Sequence, residues 1–314
     1  MDTILEQYEV RKTNKEKTRF IEYIKTRLEK AGYSQENDIK IEEKGIGILK
    51  SRNIVVGNPE TAQILLGAHY DTCAVLPFPN LMSPTNPVIF IVVQLGLALL
   101  LLTIPAVLAV ILSLLTNHLL DEYSTYLILL IALMIHMMFG YKNKHTANDN
   151  TSGVITITRI LEALPKEARS KVCVVYFDNE EKGLFGSEFF YKKHKQAVKG
   201  KLVYNFDCVG DGKEVVFLSK HKARKDEKYT QLLAVLQESV KEHNVKLLIK
   251  HIKPMMFASD QMHFKKGVGV CAVRKSLVGR YVARIHTPFD TKCREENINY
   301  LVDAMTKYIG AIDV

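Results

Sequence analysis

The chain has 314 residues, with 43 Lys and Arg against 34 Asp and Glu for a net charge of +9, and 47% of it is apolar. That length accommodates one large α/β domain or two smaller ones. The charge does not call for nucleic acid. Lys alternates with Glu along helical stretches such as 14–31, as on a solvated helix face, and proximity to anionic lipid accounts for the same excess. The odd set Cys73, Cys173, Cys208, Cys271 and Cys293 has no CxxC spacing, which argues against a disulfide framework and a cysteine-ligated zinc site. Cys173 and Cys271 lie in apolar runs and read as small core residues, and free thiols fit a reducing compartment. Met1–Lys30 is charged throughout and has no apolar core of a cleaved signal peptide.

In chain order, residues 14–31 predict an amphipathic helix with Phe20, Ile21, Ile24 and Leu28 on one face and Gly32 as its stop. Ala62–Ala68 predicts a buried strand that delivers His69 and Asp71 at its carboxyl end. Pro77, Pro79, Pro84 and Pro87 then make 72–87 a stiff, extended approach. Residues 88–115 and 125–139 contain no Asp, Glu, Lys or Arg. The first is long enough to cross a hydrocarbon core of about 30 Å, with Pro105 as a tolerated kink. The second, Tyr126–Phe139, is short for a span and contains His136; Tyr123, Tyr126 and Tyr141 bracket it as interfacial anchors. The alternative is a pair of buried helices or an amphipathic lid. The first segment is apolar on every face and too long for an ordinary core helix, which favours a membrane hairpin.

Further strands are predicted at Val172–Phe177, ending in Asp178-Asn179-Glu180-Glu181, and at Leu202–Phe206, ending in Asp207. Helices are predicted over 151–164, 184–196, 227–243 and 295–309. This alternation gives the α/β class: a mixed, mostly parallel central sheet flanked by helices, plus the inserted two-helix membrane hairpin. Residues 1–87 and 140–314 would form one catalytic body, with 88–139 inserted. Lys142 and Lys144 after the hairpin contrast with Asp121 and Glu122 in its turn, which places the body in the cytoplasm of a multi-pass protein.

The candidate ligands fall where such sheets gather their chemistry, beyond the carboxyl ends of strands. In Gly67-Ala68-His69-Tyr70-Asp71, an imidazole and a carboxylate two residues on share a face, so Asp71 can orient the His69 ring. Asn148-Asp149-Asn150-Thr151-Ser152-Gly153 reads as a turn into a helix, with a carboxylate able to reach two cations. Glu180 and Glu181 are adjacent on a loop and can point differently, one to a metal and one to an activated water. Asp207 and His286 complete the donors.

This ordered set resembles the aminopeptidase S/Y type of co-catalytic zinc exopeptidases, metallopeptidase family 28, from about residue 60 to the C-terminus excluding the insertion. The resemblance implies that His69, Asp149 and Asp207 hold one zinc and that Asp149, Glu181 and His286 hold the other. Co²⁺ or Mn²⁺ would also suit such a carboxylate-rich site. Glu180 is then the general base acting on a metal-bridging water, Asp71 the carboxylate behind His69, and Ser259 and Asp260 line the substrate side. The implied activity is hydrolysis of peptides by a membrane-anchored dizinc aminopeptidase whose residues 88–139 contact lipid. A single-zinc glutaminyl cyclase-like acyltransferase and a non-catalytic membrane binding protein are the alternatives. Two departures stand out: the long insertion between Asp71 and Asp149, and Ile285 where some family members carry a tyrosine before the histidine. Side-chain preference and oligomeric state are not written in the sequence.

Overall fold

The computed structural model describes residues 2–47, 50–76, 81–251, 256–277 and 279–312; Pro77 and Pro79 of the approach segment lie outside them. Among the described residues nine strands make one mixed sheet: β1 (Ile39–Lys44), β2 (Ser51–Val56), β3 (Ile64–His69), β4 (Val172–Phe177), β5 (Leu202–Phe206), β6 (Glu214–Ser219), β7 (Lys246–His251), β8 (Lys266–Ser276) and β9 (Gly279–Tyr281). Their order is β1-β2-β4-β3-β5-β8-β6-β7, with β9 beside β8. The centre is parallel, β4-β3-β5-β8, while β2 joins β4 and β6 joins β8 antiparallel.

β3, β4 and β5 are buried along their whole length, because helices cover both faces. Side chains alternate between the two layers. Leu66, Ala68, Val174, Tyr176 and Tyr204 enter the larger core, with α2 (Asn14–Lys30), α5 (Gly153–Ala163), α8 (Glu227–Ser239) and α9 (Glu295–Ala311). Leu65, Val175, Phe177 and Val203 enter the smaller one, with Phe190 of α6 (Phe185–Lys193) and Val198 of α7 (Lys195–Val198). Cys173 and Cys271 are fully buried core thiols. The short α1 (Thr3–Gln7) adds Ile4 to the larger core.

The register fixes where chemistry can sit. His69 pairs with Phe177, and Gly67 with Asn205, so β3, β4 and β5 end nearly flush and release His69, Asp178 and Asp207 along one edge. α2 is started by a capping box, in which Thr13 Oγ1 accepts from the Glu16 amide at 3.3 Å and Glu16 accepts from the Thr13 amide at 2.9 Å. Its apolar face is the expected one, but Lys17 is not on a solvated face. It is buried and ion-paired with Asp178, and Lys17 Nζ donates to Asn179 Oδ1 at 2.8 Å. Alternating charge along a helix cannot reveal which lysine meets a buried carboxylate from a distant loop.

α3 (Pro87–Leu115) and α4 (Glu122–Phe139) are inserted between β3 and α5. Asn86 caps α3 by accepting from Val88 and Ile89, and Pro87 takes the first helical position, where its missing N–H costs nothing. α4 starts four residues before the predicted apolar segment, capped by Asp121, and reaches 18 residues. Both helices are long and apolar enough to cross a membrane. They pack on each other yet leave Leu95, Leu99, Ile128 and Ile131 more than half exposed. That apolar exposure is what a hydrocarbon surround would cover.

The hairpin's two roots are stapled together. Ala74 bridges Lys142, the Val75 amide donates to Tyr141 O at 2.8 Å, and the Asn143 amide donates to Cys73 O at 3.2 Å. His136, the only histidine inside the predicted segments, faces this stem, with Nε2 3.2 Å from Val75 O.

Removing one member of a buried ion pair strands the other. Lys17→Ala is therefore expected to cost about 3–5 kcal/mol of stability, read as a lowered thermal midpoint of the detergent-solubilised chain. An unchanged midpoint would mean that the pair does not hold α2 to the loop after β4.

Candidate active site

Five segments converge beyond the parallel strand ends. His69 closes β3, and its Nδ1 lies 3.1 Å from the Asp71 carbonyl oxygen. The Asp71 carboxylate is 3.7 Å from the same nitrogen, too far for a hydrogen bond. Its oxygens instead accept from the amides of Glu180 at 3.0 Å and Glu181 at 3.2 Å. Asp71 thus ties the β3 exit to the loop that presents both glutamates. The other anchor of that loop is Asp178, held by Lys17 and the Arg52 amide.

The Asn148–Ser152 turn is cross-tied to the exit of β5 at alternate positions. Asn148 Oδ1 accepts from the amides of Gly210 and Asp211 at 2.7 and 2.9 Å. Asn150 donates to Phe206 O at 2.9 Å and accepts from Cys208 N at 3.2 Å. Ser152 Oγ accepts from Val209 N at 3.0 Å. Between them Asp149 is free to turn inward, its own amide held by Asp290 Oδ2 at 3.0 Å. A side chain on Gly153 would strike Phe206 O at 2.2 Å, so the close approach of the turn to β5 requires glycine. The Asp149–Asn150 peptide is cis.

Asp149 sits between the histidines, one oxygen for each. Its Oδ1 is 3.3 Å from His69 Nε2, and its Oδ2 is 3.0 Å from His286 Nε2. Asp207 Oδ1 lies 3.6 Å from His69 Nε2, and Glu181 Oε2 3.3 Å from His286 Nε2. Donor atoms of His69, Asp149 and Glu181, and those of His69, Glu180 and Asp207, fall within 4.8 Å of one another. Asn179, Leu184, Cys208 and His286 all adopt left-handed φ at this edge. That conformation costs a non-glycine residue about 1–2 kcal/mol, and such residues collect where loops are held for a purpose.

The electrostatics show how crowded the anions are. Burial, opposed by His69 and reinforced by Glu181 and Asp207, pushes Glu180 well above the usual carboxylate range. Burial also moves Glu181 up to about 7. Burial would lower the histidines, but Glu180 and the surrounding aspartates raise His69 well above its ordinary value, and Glu181 and Asp149 lift His286 to about 9. Burial would raise Asp71, yet His69, Lys17 and the Glu180 amide hold it at about 2. Glu181 Oε1 is buried without any hydrogen-bond partner among the described residues. Two imidazoles and several converging carboxylates, one with a free buried oxygen, suit divalent cations such as zinc.

Each predicted ligand reaches this edge. Ser259 and Asp260 lie on its flank, in a short helical turn before β8. Ser259 Oγ accepts from Asn205 Nδ2 at 2.9 Å, which gives it a tethering contact. Asp260 is fully buried, neither carboxylate oxygen finds a partner in good hydrogen-bond geometry among the described residues although the Ser187 hydroxyl acts on it, and its charge is felt by Glu180. Ile285, before His286, is buried in a small separate core with Val216, Leu218 and Val282.

Sequence reasoning missed the supporting residues. Arg11 is fully buried and reaches Tyr70 O at 2.5 Å and Thr151 Oγ1 at 3.1 Å, bracing both halves of the site. Asp290, four residues after His286, secures the amides of Asn148 and Asp149. Its place in the motif His286-Thr287-Pro288-Phe289-Asp290 was visible, but its partners lie about 140 residues away in the chain.

The description Peptidase family M28 matches residues 122–306, more than half of the chain. The matched stretch begins in α4 and leaves out His69 and Asp71, which the fold brings to Asp149. No curated protein matches in sequence. Among solved structures, the Legionella pneumophila LapA aminopeptidase is similar at 15% identity and a TM-score of 0.52, over 98% of this chain and 69% of its own. The Bacteroides thetaiotaomicron glutaminyl cyclase is similar at 15% identity and a TM-score of 0.56, over 97% of this chain and 92% of its own. The Macrostomum lignano glutaminyl cyclase is similar at 11% identity and a TM-score of 0.51, over 98% and 88%. These likenesses establish the α/β fold with helices about a mixed sheet, and the family match, over more than half of its length, shows that the chain belongs to peptidase family M28.

Proposed function

We propose that this member of the family is a membrane-anchored dizinc exopeptidase, an aminopeptidase acting on small peptides. The observation that carries the reading is the position of Asp149, with one carboxylate oxygen toward His69 and the other toward His286. In this reading His69, Asp149 and Asp207 hold one ion, and Asp149, Glu181 and His286 the other. When bound, two Zn²⁺ would supply Lewis-acid polarisation of the scissile carbonyl and a more acidic water.

The chain's own residues do the rest. Glu180, its carboxylate destabilised by burial, takes a proton from the attacking water as the water oxygen bonds to the carbonyl carbon. It returns that proton to the amide nitrogen as the C–N bond breaks, so the amine leaves neutral. Asp71 holds the backbone on which Glu180 and Glu181 turn. Asp260, buried with neither oxygen in a well-formed hydrogen bond among the described residues, is suited to face the ammonium of a substrate N-terminus. Residues 1–87 and 140–314 form the catalytic body, and 88–139 anchor it on the cytoplasmic side, where Lys142 and Lys144 meet the bilayer.

The test is a screen of dipeptides and aminoacyl-amides with the zinc-loaded full chain. Glu180→Gln is expected to lower hydrolysis by about 10²–10⁴-fold with metal content unchanged, and an unaltered rate would sink the enzymatic assignment. Metal analysis separates the two ligand sets: His286→Ala should retain one ion per chain, whereas Asp149→Ala should weaken both. One zinc in active wild-type chain, with cyclisation of N-terminal Gln, would favour a glutaminyl cyclase-like activity instead.

A further inference from the structure

Where α4 returns to the body, Lys12, Lys142 and Lys182 line a pocket of about 340 Å³ whose other walls include Asn14, Met138 and Phe139. None of the three lysines belongs to the proposed catalytic set. Lys12 Nζ donates to Met138 O at 2.9 Å and so sits on the carbonyl end of α4. Lys182 lies over the Phe139 ring, 5.7 Å from its centroid. Lys142 pairs with Glu16 at 2.6 Å. Glu16 offsets Lys142, and from behind the pocket Glu181 and Asp71 act on Lys12 and Asp71 and Asp178 on Lys182, while among the described residues no acidic side chain lines the pocket itself.

The position selects the ligand. α4 is apolar and exposed up to Phe139, and Tyr141, directly after it, is exposed as well. The pocket therefore opens at the level where hydrocarbon would give way to headgroups, with Met138 and Phe139 on the apolar side and ammonium groups on the polar side. The opposite end of the hairpin carries Asp121 and Glu122, so the lysines are confined to one end. A soluble anion needs the ammonium groups but has no use for an apolar wall continuous with an exposed helix. We infer that this pocket binds the phosphate of an anionic membrane phospholipid, the glycerol and first methylenes lying against Met138 and Phe139. The inference rests on the membrane anchoring proposed above.

The test titrates the full chain in neutral detergent with short-chain phosphatidylglycerol and with phosphatidylcholine of equal chain length, following the thermal midpoint. Lysines partly offset by the carboxylates behind them predict a preference of about tenfold for phosphatidylglycerol. Lys12→Gln with Lys182→Gln should reduce it to within about threefold. If that double variant fails to fold, Lys142→Gln, altered at an exposed side chain, should still weaken the preference. Equal affinity for the two lipids, or a preference that survives in folded variants, overturns the pocket. Inorganic phosphate stabilising as strongly as phosphatidylglycerol reassigns it to a soluble anion and overturns the lipid. A raised KM for peptides with a free carboxylate, with lipid preference intact in the variants, assigns the lysines to substrate and overturns it too. Flotation with vesicles separates the two readings. A chain that floats with neither neutral nor anionic vesicles refutes the anchoring, whereas one that floats with both yet shows no phosphatidylglycerol preference in the titration refutes only the pocket.

Discussion

Carboxylates do not gather in a buried place without being forced. Asp71, Asp149, Glu180, Glu181, Asp207 and Asp260 crowd one edge of the sheet with only two imidazoles among them. Their mutual repulsion and lost hydration oppose the arrangement, and divalent cations are the natural compensation. Much of the surrounding structure can be understood as restraint on this charge. Parallel strands end flush, asparagines at alternate positions lock one loop to another, and buried Lys17 and Arg11 stand behind the ligands as basic partners.

The parts of this that were legible in the sequence share one property: each is local. Val172–Phe177 and Leu202–Phe206 read correctly as strands because β-branched and aromatic residues ran to a clear polar stop. The ligand candidates followed from those stops, and the structure brings them within a few ångströms of one another. β8 was marked only as the apolar run around Cys271, because Gly267 and Gly269 interrupt its pattern upstream, and the apolar run of β6 was not predicted as a strand. Those glycines answer to neighbours instead: a side chain at Gly267 would meet Gln261 O at 2.3 Å.

Long-range partnerships were not legible. Lys17 reads as one more surface lysine until Asp178, 161 residues later, is seen against it. Asp290 looks like part of a turn until the amides of Asn148 and Asp149 are found pointing at it. In both cases residue type was informative about charge and uninformative about the partner, because the partner is chosen by the fold.

The stem of the hairpin has a consequence for how the insertion relates to the body. Its two strands are already hydrogen-bonded at Val75 and Tyr141, so the chain leaves and re-enters the body at neighbouring points. Topologically the insertion is a closed excursion: a tight turn at the same place would leave every strand crossover in the sheet unaltered. The same stem also touches the site, through Leu76 N to His286 O at 2.9 Å and Asn143 Nδ2 to Thr287 O at 2.9 Å. The excursion is therefore dispensable to the fold's connectivity while its base is a structural neighbour of a candidate ligand. Tilt of the hairpin has a short mechanical route to His286, with the stapled roots as its fulcrum.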